Sequence, residues 1–369
     1  MKKQALKTIK SNFLHELQDA SAGKKTSLPF IVHKLSSSSL VQTGEPFQVM
    51  VIGGSVFKKA ICKNVKGKIA IIKKETDKPL NFKTEQDFLE FIERELPNDV
   101  RILALNFAYP IQPVFENGKL DGILLGVTKE GGFHGLVGEQ IGKEIENYVL
   151  AKRNKKIKVA VANDTVCLLL SGLTKYPWDV FGGGVDGTGV NFAFFLSQNS
   201  LVNLESANFN KFQLTQEGKI IDKKSQQPEK HLFEKETAGA YLYKHFNIIV
   251  KERGINYSQI VSTEELSALC HPEFISGSKN QVQHDRIQVS EIAKSLMERS
   301  AQLVACQIAG ITAFKGHDMV FNMEGSLFWK GNRYKETVEE TVRLLVPEYN
   351  VKFVEMNNSA ILGAAKLVA

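Results

Sequence analysis

The 369-residue chain is 43% hydrophobic, enough for two domains with separate cores, and its 47 basic and 40 acidic residues leave a formal charge of +7. That mild excess suits an anionic substrate, but no basic stripe with interleaved aromatics is present, so nucleic acid is a poor candidate partner. The four scattered cysteines show no CxxC or metal-ligand spacing, and neither an apolar h-region after Met1-Lys2-Lys3 nor a membrane-length run follows, so a cytoplasmic protein with reduced thiols and no membrane partner is expected.

In chain order, residues 5–19 read as a helix, followed by a polar connector containing Ser36 to Ser39. Strand-like runs follow at 47–52, 68–72 and 101–107. Before the last of these lies a helix opened by Thr84, with Asp87 three residues on and Phe88, Leu89, Phe91, Ile92 and Leu96 on its buried face. A strand at 122–127 runs into a glycine-rich turn, and a helix over 137–151 leads to the apolar strand 157–162. This is an α/β unit, a mixed sheet with helices on its faces. Further on, 192–196 is strand-like and the polar stretch 213–230 reads as loop. Helices are expected over 234–250 and 289–314, the second presenting Val289, Ile292, Leu296 and Leu303 on one face. A strand at 319–323, a helix over 334–345, a strand at 351–355 and a small-residue helix over 359–369 complete a second α/β unit.

The segment Val161-Ala162-Asn163-Asp164-Thr165-Val166 places an Asn-Asp pair at the carboxyl end of a buried strand, where open α/β sheets hold their ligands. There Asp164 can accept a proton from a substrate hydroxyl and Asn163 can hold a neighbouring one; the same letters also make an ordinary helix-capping turn. Gly53-Gly54-Ser55 follows a strand, and a glycine pair there lets backbone amides approach a phosphate, with a tight hairpin as the alternative. Residues 182–189 formally contain G-x-G-x-x-G, but a dinucleotide site needs a helix next, whereas 190–196 is strand-like. Gly187-Thr188-Gly189 reads instead as a hairpin, either plain or using its amides and the Thr188 hydroxyl to hold phosphate. Thr128-Lys129 closes a strand before Gly131-Gly132, where the lysine can neutralise a transferring phosphoryl group or be an exposed turn residue. Taken alone, Glu205 and Glu234 are surface acids, and the eight histidines show no metal pattern.

Taken together and in this order, these segments resemble the hexokinase/glucokinase family from about Phe47 to the C-terminus. Residues 53–58, Gly-Gly-Ser-Val-Phe-Lys, are similar to the family's first phosphate loop, Gly-Gly-Thr-Asn-Phe-Arg. Residues 106–110 resemble its sugar loop, Phe-Ser-Phe-Pro, and Thr128-Lys129 its Trp-Thr-Lys-Gly. Residues 161–166 match Val-Val-Asn-Asp-Thr-Val nearly letter for letter, and 187–191 resemble the second phosphate loop, Gly-Thr-Gly-x-Asn. Asn203-Leu204-Glu205 resembles Asn-Thr-Glu-Trp, and Phe233-Glu234-Lys235 with 239–242 resembles Phe-Glu-Lys-Met-x-Ser-Gly-Met-Tyr-Leu. Residues 324–328 and Gly363-Ala364-Ala365 look like the adenosine-side motifs.

The resemblance implies an actin-like ATPase (ribonuclease H-like) α/β fold of two domains, each a five-stranded mixed sheet flanked by helices, with a cleft between. The small domain would be 47–162 plus 359–369 and the large one 1–46 plus 163–358. It implies ATP-dependent phosphorylation of a hexose, glucose first, at the 6-hydroxyl, as in glycolysis. Asp164 would be the general base and Lys129 its catalytic partner. Thr128, Lys129, Asn163, Asp164, Asn191, Glu205 and Glu234 would contact the sugar. Gly53, Gly54, Ser55, Lys58, Gly187, Thr188, Gly189, Gly325 and Ser326 would line the nucleotide side. ATP and Mg²⁺ are the implied cofactors, the ion being carried by the nucleotide with no protein ligand assigned. The implied partners are thus a small hexose and ATP, and no oligomeric state follows.

Departures from the pattern define a second expectation. The family's first phosphate loop begins Asp-x-Gly-Gly, and Val51 stands at the aspartate's position, where a hydrocarbon cannot coordinate a hard cation. Ala108 replaces the sugar-loop serine, Ser206-Ala207 replaces Trp-Gly, and residues 358–363, Asn-Ser-Ala-Ile-Leu-Gly, replace Gly-Ser-Gly-Lys-Gly. Sugar-binding residues and the base are kept while the nucleotide loops are eroded. The alternative is therefore a hexose-binding sensor or regulatory pseudoenzyme with little or no kinase activity.

Overall fold

The computed structural model describes residues 1–53, 56–78, 81–126, 132–275 and 281–369. Helix α1 (Lys3–Ser21) comes first, burying Leu6, Ile9, Phe13 and Leu17 at helical spacing. Strands β1 (Ile31–Lys34), β2 (Pro46–Ile52), β3 (Phe57–Val65) and β4 (Lys68–Asp77) follow. Lysines interrupt β3, so no apolar run marks it in the sequence. Thr84 opens α2 (Glu85–Glu95) with the expected reciprocal cap, its side chain accepting from the Asp87 amide while Asp87 accepts from the Thr84 amide, each at 3.1 Å.

Next come β5 (Ile102–Phe107), β6 (Ile111–Glu116), β7 (Lys119–Leu124) and α3 (Ile141–Arg153). The strand expected at 122–127 is shifted N-terminally as β7, and α3 starts later than expected for an identifiable reason. Buried Asp121 accepts from the Gly142 and Lys143 amides at 2.8 and 3.2 Å, which fixes the helix start there. The chain continues through β8 (Lys158–Ala162), α4 (Asp164–Ser171), β9 (Phe181–Asp186), β10 (Val190–Ser197) and β11 (Ser200–Asn203).

The stretch expected to be loop contains α5 (Gln216–Lys223), which Thr215 caps and which buries only Gly218 and Ile221, too little to leave a periodic signal. The helix expected over 234–250 is two helices, α6 (Leu232–Thr237) and α7 (Gly239–Glu252). Ala238 breaks them with extended backbone, φ −79° and ψ 154°. Then follow α8 (Thr263–Ala268), α9 (Pro272–Ile275) and α10 (Gln281–Lys315), which at 35 residues is longer than expected. Strand β12 (Met319–Glu324), α11 (Ser326–Lys330), α12 (Tyr334–Leu345), β13 (Val351–Val354) and α13 (Ser359–Ala365) close the chain.

A five-stranded sheet has the order β4-β3-β2-β5-β8, antiparallel from β4 to β2 and parallel from β2 to β8, and so is mixed as expected. The other large sheet has six strands, one more than expected, in the order β1-β11-β10-β9-β12-β13. Strands β6 and β7 pair as a separate antiparallel ribbon.

The described chain gathers into two compact units, Ile31–Gly183 with Ala193–Asn203 and Met356–Ala369, and Met1–Phe30 with Gly184–Phe192 and Leu204–Glu355. In the first unit, α2 and α3 cover the five-stranded sheet over a core that includes Phe88, Phe107 and Phe133. Phe88 and Phe133 meet edge to face with centroids 5.5 Å apart. Each such fully buried ring contributes about 2 kcal/mol of burial. On α13, Gly363 faces the Cys167 carbonyl of α4 so closely that a Cβ would overlap it. Gly363→Ala is therefore expected to destabilise the fold by about 2 kcal/mol or more; an unchanged denaturation midpoint would contradict the close approach.

Candidate active site

Val51, Asn106 and Ala162 stand level across the parallel strands β2, β5 and β8. The carboxyl ends of these strands therefore open at one sheet edge, with Gly53 after β2, Ala108 after β5, and Asn163 and Asp164 after β8. Asn163 Oδ1 accepts from the Val166 amide at 2.9 Å and caps α4, so the capping turn is real and it fixes the residue beside it. Asp164 is the first residue of α4, its Oδ1 accepting from the Thr165 amide at 2.7 Å and the Thr165 hydroxyl at 3.4 Å. Desolvation by surrounding protein raises its pKa, while the Thr165 donors pull the other way. The side chain is nonetheless exposed, so solvent screens part of that shift and a substrate can reach the carboxylate.

Val51 is buried at 6% exposure and pairs with Lys58 across β3, so the edge has no acidic group at that position. Ile52 pairs with Phe57, so β2 and β3 run antiparallel, and of the residues between them the structure describes Gly53 and Val56. Gly54, Ser55, Thr128 and Lys129 lie outside the described residues. Among the described residues, no group of three or more His, Cys, Asp or Glu side chains is placed to hold a metal ion.

In the second unit, Gly187-Thr188-Gly189 joins β9 to β10. The Gly187 amide donates to the Gly189 carbonyl at 3.0 Å, the Gly239 amide to the Gly187 carbonyl at 2.8 Å, and the Ala240 amide to the Thr188 carbonyl at 3.2 Å. Gly325 has φ +131°, and a Cβ there would overlap the Asp186 carbonyl, so glycine is required on both counts. A cavity of about 500 Å³ is lined by Gly187, Thr188, Gly239, Tyr243, Ser326 and Lys330, among others. It brings together Gly187, Thr188 and Ser326. Tyr243 and Lys330 carry no motif, and only the fold brings them to that cavity. Gly363-Ala364-Ala365 serves helix packing in the other unit, through the α13–α4 approach.

Beside the same loop lies a cluster of carboxylates and an amide. Asn191 Oδ1 accepts from the Phe192 and Ser206 amides at 2.8 and 3.1 Å, and its Nδ2 donates to Glu205 Oε1 at 3.5 Å. Glu205 is held in left-handed backbone, φ 50°. Glu234 Oε2 accepts from the Val190 amide at 3.4 Å and would stand 2.9 Å from a Cβ on Gly189. Desolvation pushes Glu234 up to about 7, with the Glu205 charge adding to the rise. Both glutamates are half-buried rather than surface acids, which neither residue signals outside its motif.

Residues 183–369 match the family model described as hexokinase. The chain belongs to the hexokinase family. The matched stretch includes the loop at 187–189, Asn191, Glu205, Glu234 and Gly325. The chain is 25% identical to hexokinase-7 of Oryza sativa subsp. japonica over 321 residues, which is 73% of this chain and 68% of that protein. It is 28% identical to hexokinase-2 of Solanum tuberosum over 327 residues, 74% of this chain and 65% of that protein. It thus spans about two thirds of the length of these relatives. A hexokinase from Schistosoma mansoni, solved in complex with glucose, matches all of this chain (100%) and 95% of its own with a TM-score of 0.77 at 19% identity. Likeness at that identity establishes the fold, the α/β actin-like ATPase architecture expected from the motifs.

The raised pKa of Glu234 has a thermodynamic signature. Its folded value of about 7 exceeds the ordinary 4.5, so this contribution to stability is complete below about 4.5 and is lost as pH climbs to about 7. Over that window the parent's melting temperature should fall relative to Glu234→Gln and run parallel to it above. A constant offset would mean that Glu234 is not desolvated.

Proposed function

We propose that this protein transfers the γ-phosphoryl group of ATP to the 6-hydroxyl of a hexose, with glucose as the expected sugar. The observation that carries this reading is the Asn191–Glu205–Glu234 cluster set against the loop at 187–189. A sugar presents only hydroxyls, and a pocket of carboxylates and an amide offers them acceptors and donors next to a loop suited to phosphate. Asp164 supplies the base, since its carboxylate is exposed and held by Thr165. Its oxygen takes the proton of the 6-hydroxyl as that oxygen bonds to the γ-phosphorus and the bond to ADP breaks. Phosphoryl transfer depends mainly on positioning and electrostatic stabilisation, so few side chains need act chemically.

In this reading Lys129 neutralises the transferring group, and Thr128, Lys129, Asn163, Asn191, Glu205 and Glu234 hold the sugar. Gly53, Gly54, Ser55, Lys58, Gly187, Thr188, Gly189, Gly325 and Ser326 face the nucleotide. The functional domains are 47–162 with 359–369 and 1–46 with 163–358. Buried, hydrocarbon Val51 gives Mg²⁺ no ligand, so the ion enters as part of the nucleotide substrate. No helix among the described residues is long and apolar enough to cross a membrane, and a cytoplasmic setting belongs to the proposal.

Val51 also favours the second reading, a hexose sensor without efficient transfer. Glucose-dependent ADP formation separates the two. Turnover in the parent, reduced by about 10²–10⁴-fold in Asp164→Ala with hexose binding kept, supports the kinase. Hexose binding without turnover at saturating Mg-ATP supports the sensor. If organisation of Mg²⁺ limits the rate, Val51→Asp should raise kcat; an unchanged rate removes that explanation.

A further inference from the structure

Asp186 ends β9 immediately before the loop at 187–189, and its carbonyl abuts Gly325. Its carboxyl is fully buried, at 0% exposure, and neither oxygen has a hydrogen-bond partner among the described residues. Three elements bring polar groups to this region: α12 with the Tyr334 hydroxyl, α10 with Ser300, and the end of α6 with the Thr237 carbonyl. Ser300 Oγ donates to the Thr237 carbonyl at 2.6 Å and lies 2.7 Å from the Tyr334 hydroxyl.

Counting protons fixes the directions. A carbonyl only accepts, so the single Ser300 proton goes to Thr237, and the Tyr334 proton must go to Ser300. Tyr334, the neighbour that acts on Asp186, therefore has no proton left to offer that carboxyl. Burial pushes Asp186 up to about 7; a Tyr334 hydroxyl turned toward it would pull the value down, but that proton is already committed. Tyr334 is the titratable group acting on Asp186, and Ser300 and Thr237 contribute neutral groups.

We propose that Asp186 is a positioning residue of the nucleotide loop, supporting phosphate binding at residues 187–189 while its carboxyl is neutral and weakening it once ionised. The inference rests on reading that loop as a nucleotide site. An ionised Asp186 has no partner for its charge, and in its dry surroundings that charge acts directly on the loop and on the phosphates it receives.

The test is Mg-ADP binding to the full chain, measured calorimetrically at about pH 6 and about pH 8.5 in the parent and in Asp186→Asn. Glu234 titrates over the same range in both proteins, so the parent affinity should fall on the order of tenfold more than that of Asp186→Asn. Hexose affinity should change with pH to the same extent in both. An equal pH dependence in both proteins overturns the inference and leaves the functional reading standing. Absence of Mg-ADP binding by the parent at both pH values overturns both. A second measurement reads the proton itself: near pH 7, Mg-ADP binding should take up more proton in the parent than in Asp186→Asn, read by repeating the calorimetry in buffers of different ionisation enthalpy. Equal uptake in the two overturns the inference.

Discussion

The main-chain tie between the loop at 187–189 and the start of α7 organises the second unit. The Gly239 amide reaches the Gly187 carbonyl and the Ala240 amide reaches the Thr188 carbonyl, which a continuous helix through Ala238 would not permit. The break at Ala238 does two things at once. It sets the positive end of α7 against the loop at 187–189. It also leaves α6 as a separate short helix that carries Glu234 to the neighbourhood of Gly189. Cavity and carboxylate cluster therefore share one backbone cause.

That break also marks the limit of what the chain discloses by itself. Helices α2 and α12 were legible because periodicity and boundaries agree: Thr84 and Asp87 close a reciprocal cap, and Val338, Val342 and Leu345 recur on the buried face of α12. Ala238 carries no turn signal, since what interrupts the helix is a hydrogen bond to a residue far away in sequence. Helix α5 and strand β3 escape notice for a different reason, too little apolar surface in one and interleaved lysines in the other. The candidate site is legible to the extent that the residues proposed for it sit in contiguous motifs, as Asn163, Asp164, Gly187 and Thr188 do. Tyr243 and Lys330 reach the cavity only through the packing of α7 and α11. The half-burial of Glu205 and Glu234 comes from the same tertiary source.

The uneven resemblance to hexokinases has a physical logic. Recognition of hydroxyls depends on particular side chains, and losing a buried partner leaves a polar group unpaired. Phosphate recognition rests largely on main-chain groups, which tolerate changes in side chains so long as the backbone keeps its path. Gly325 lies where two main chains nearly touch, and its positive φ and the lack of room for a Cβ both dictate glycine there, while Gly187 stands close against it. At Val51 no such constraint acts, and a side chain suited to a sheet interior occupies the position.

Strand β4 lies at the free end of the five-stranded sheet, where unpaired backbone groups invite a foreign strand to add on. It exposes Ile72 at 60%, a residue that would favour such recruitment. The same strand carries Lys68, Lys73 and Lys74 beside Glu75 and Asp77, with Lys73 paired to Glu75 at 2.7 Å, so the border is charged in both signs. Covering it with a foreign strand would strip water from those ionic groups, a cost that works against the pull of Ile72.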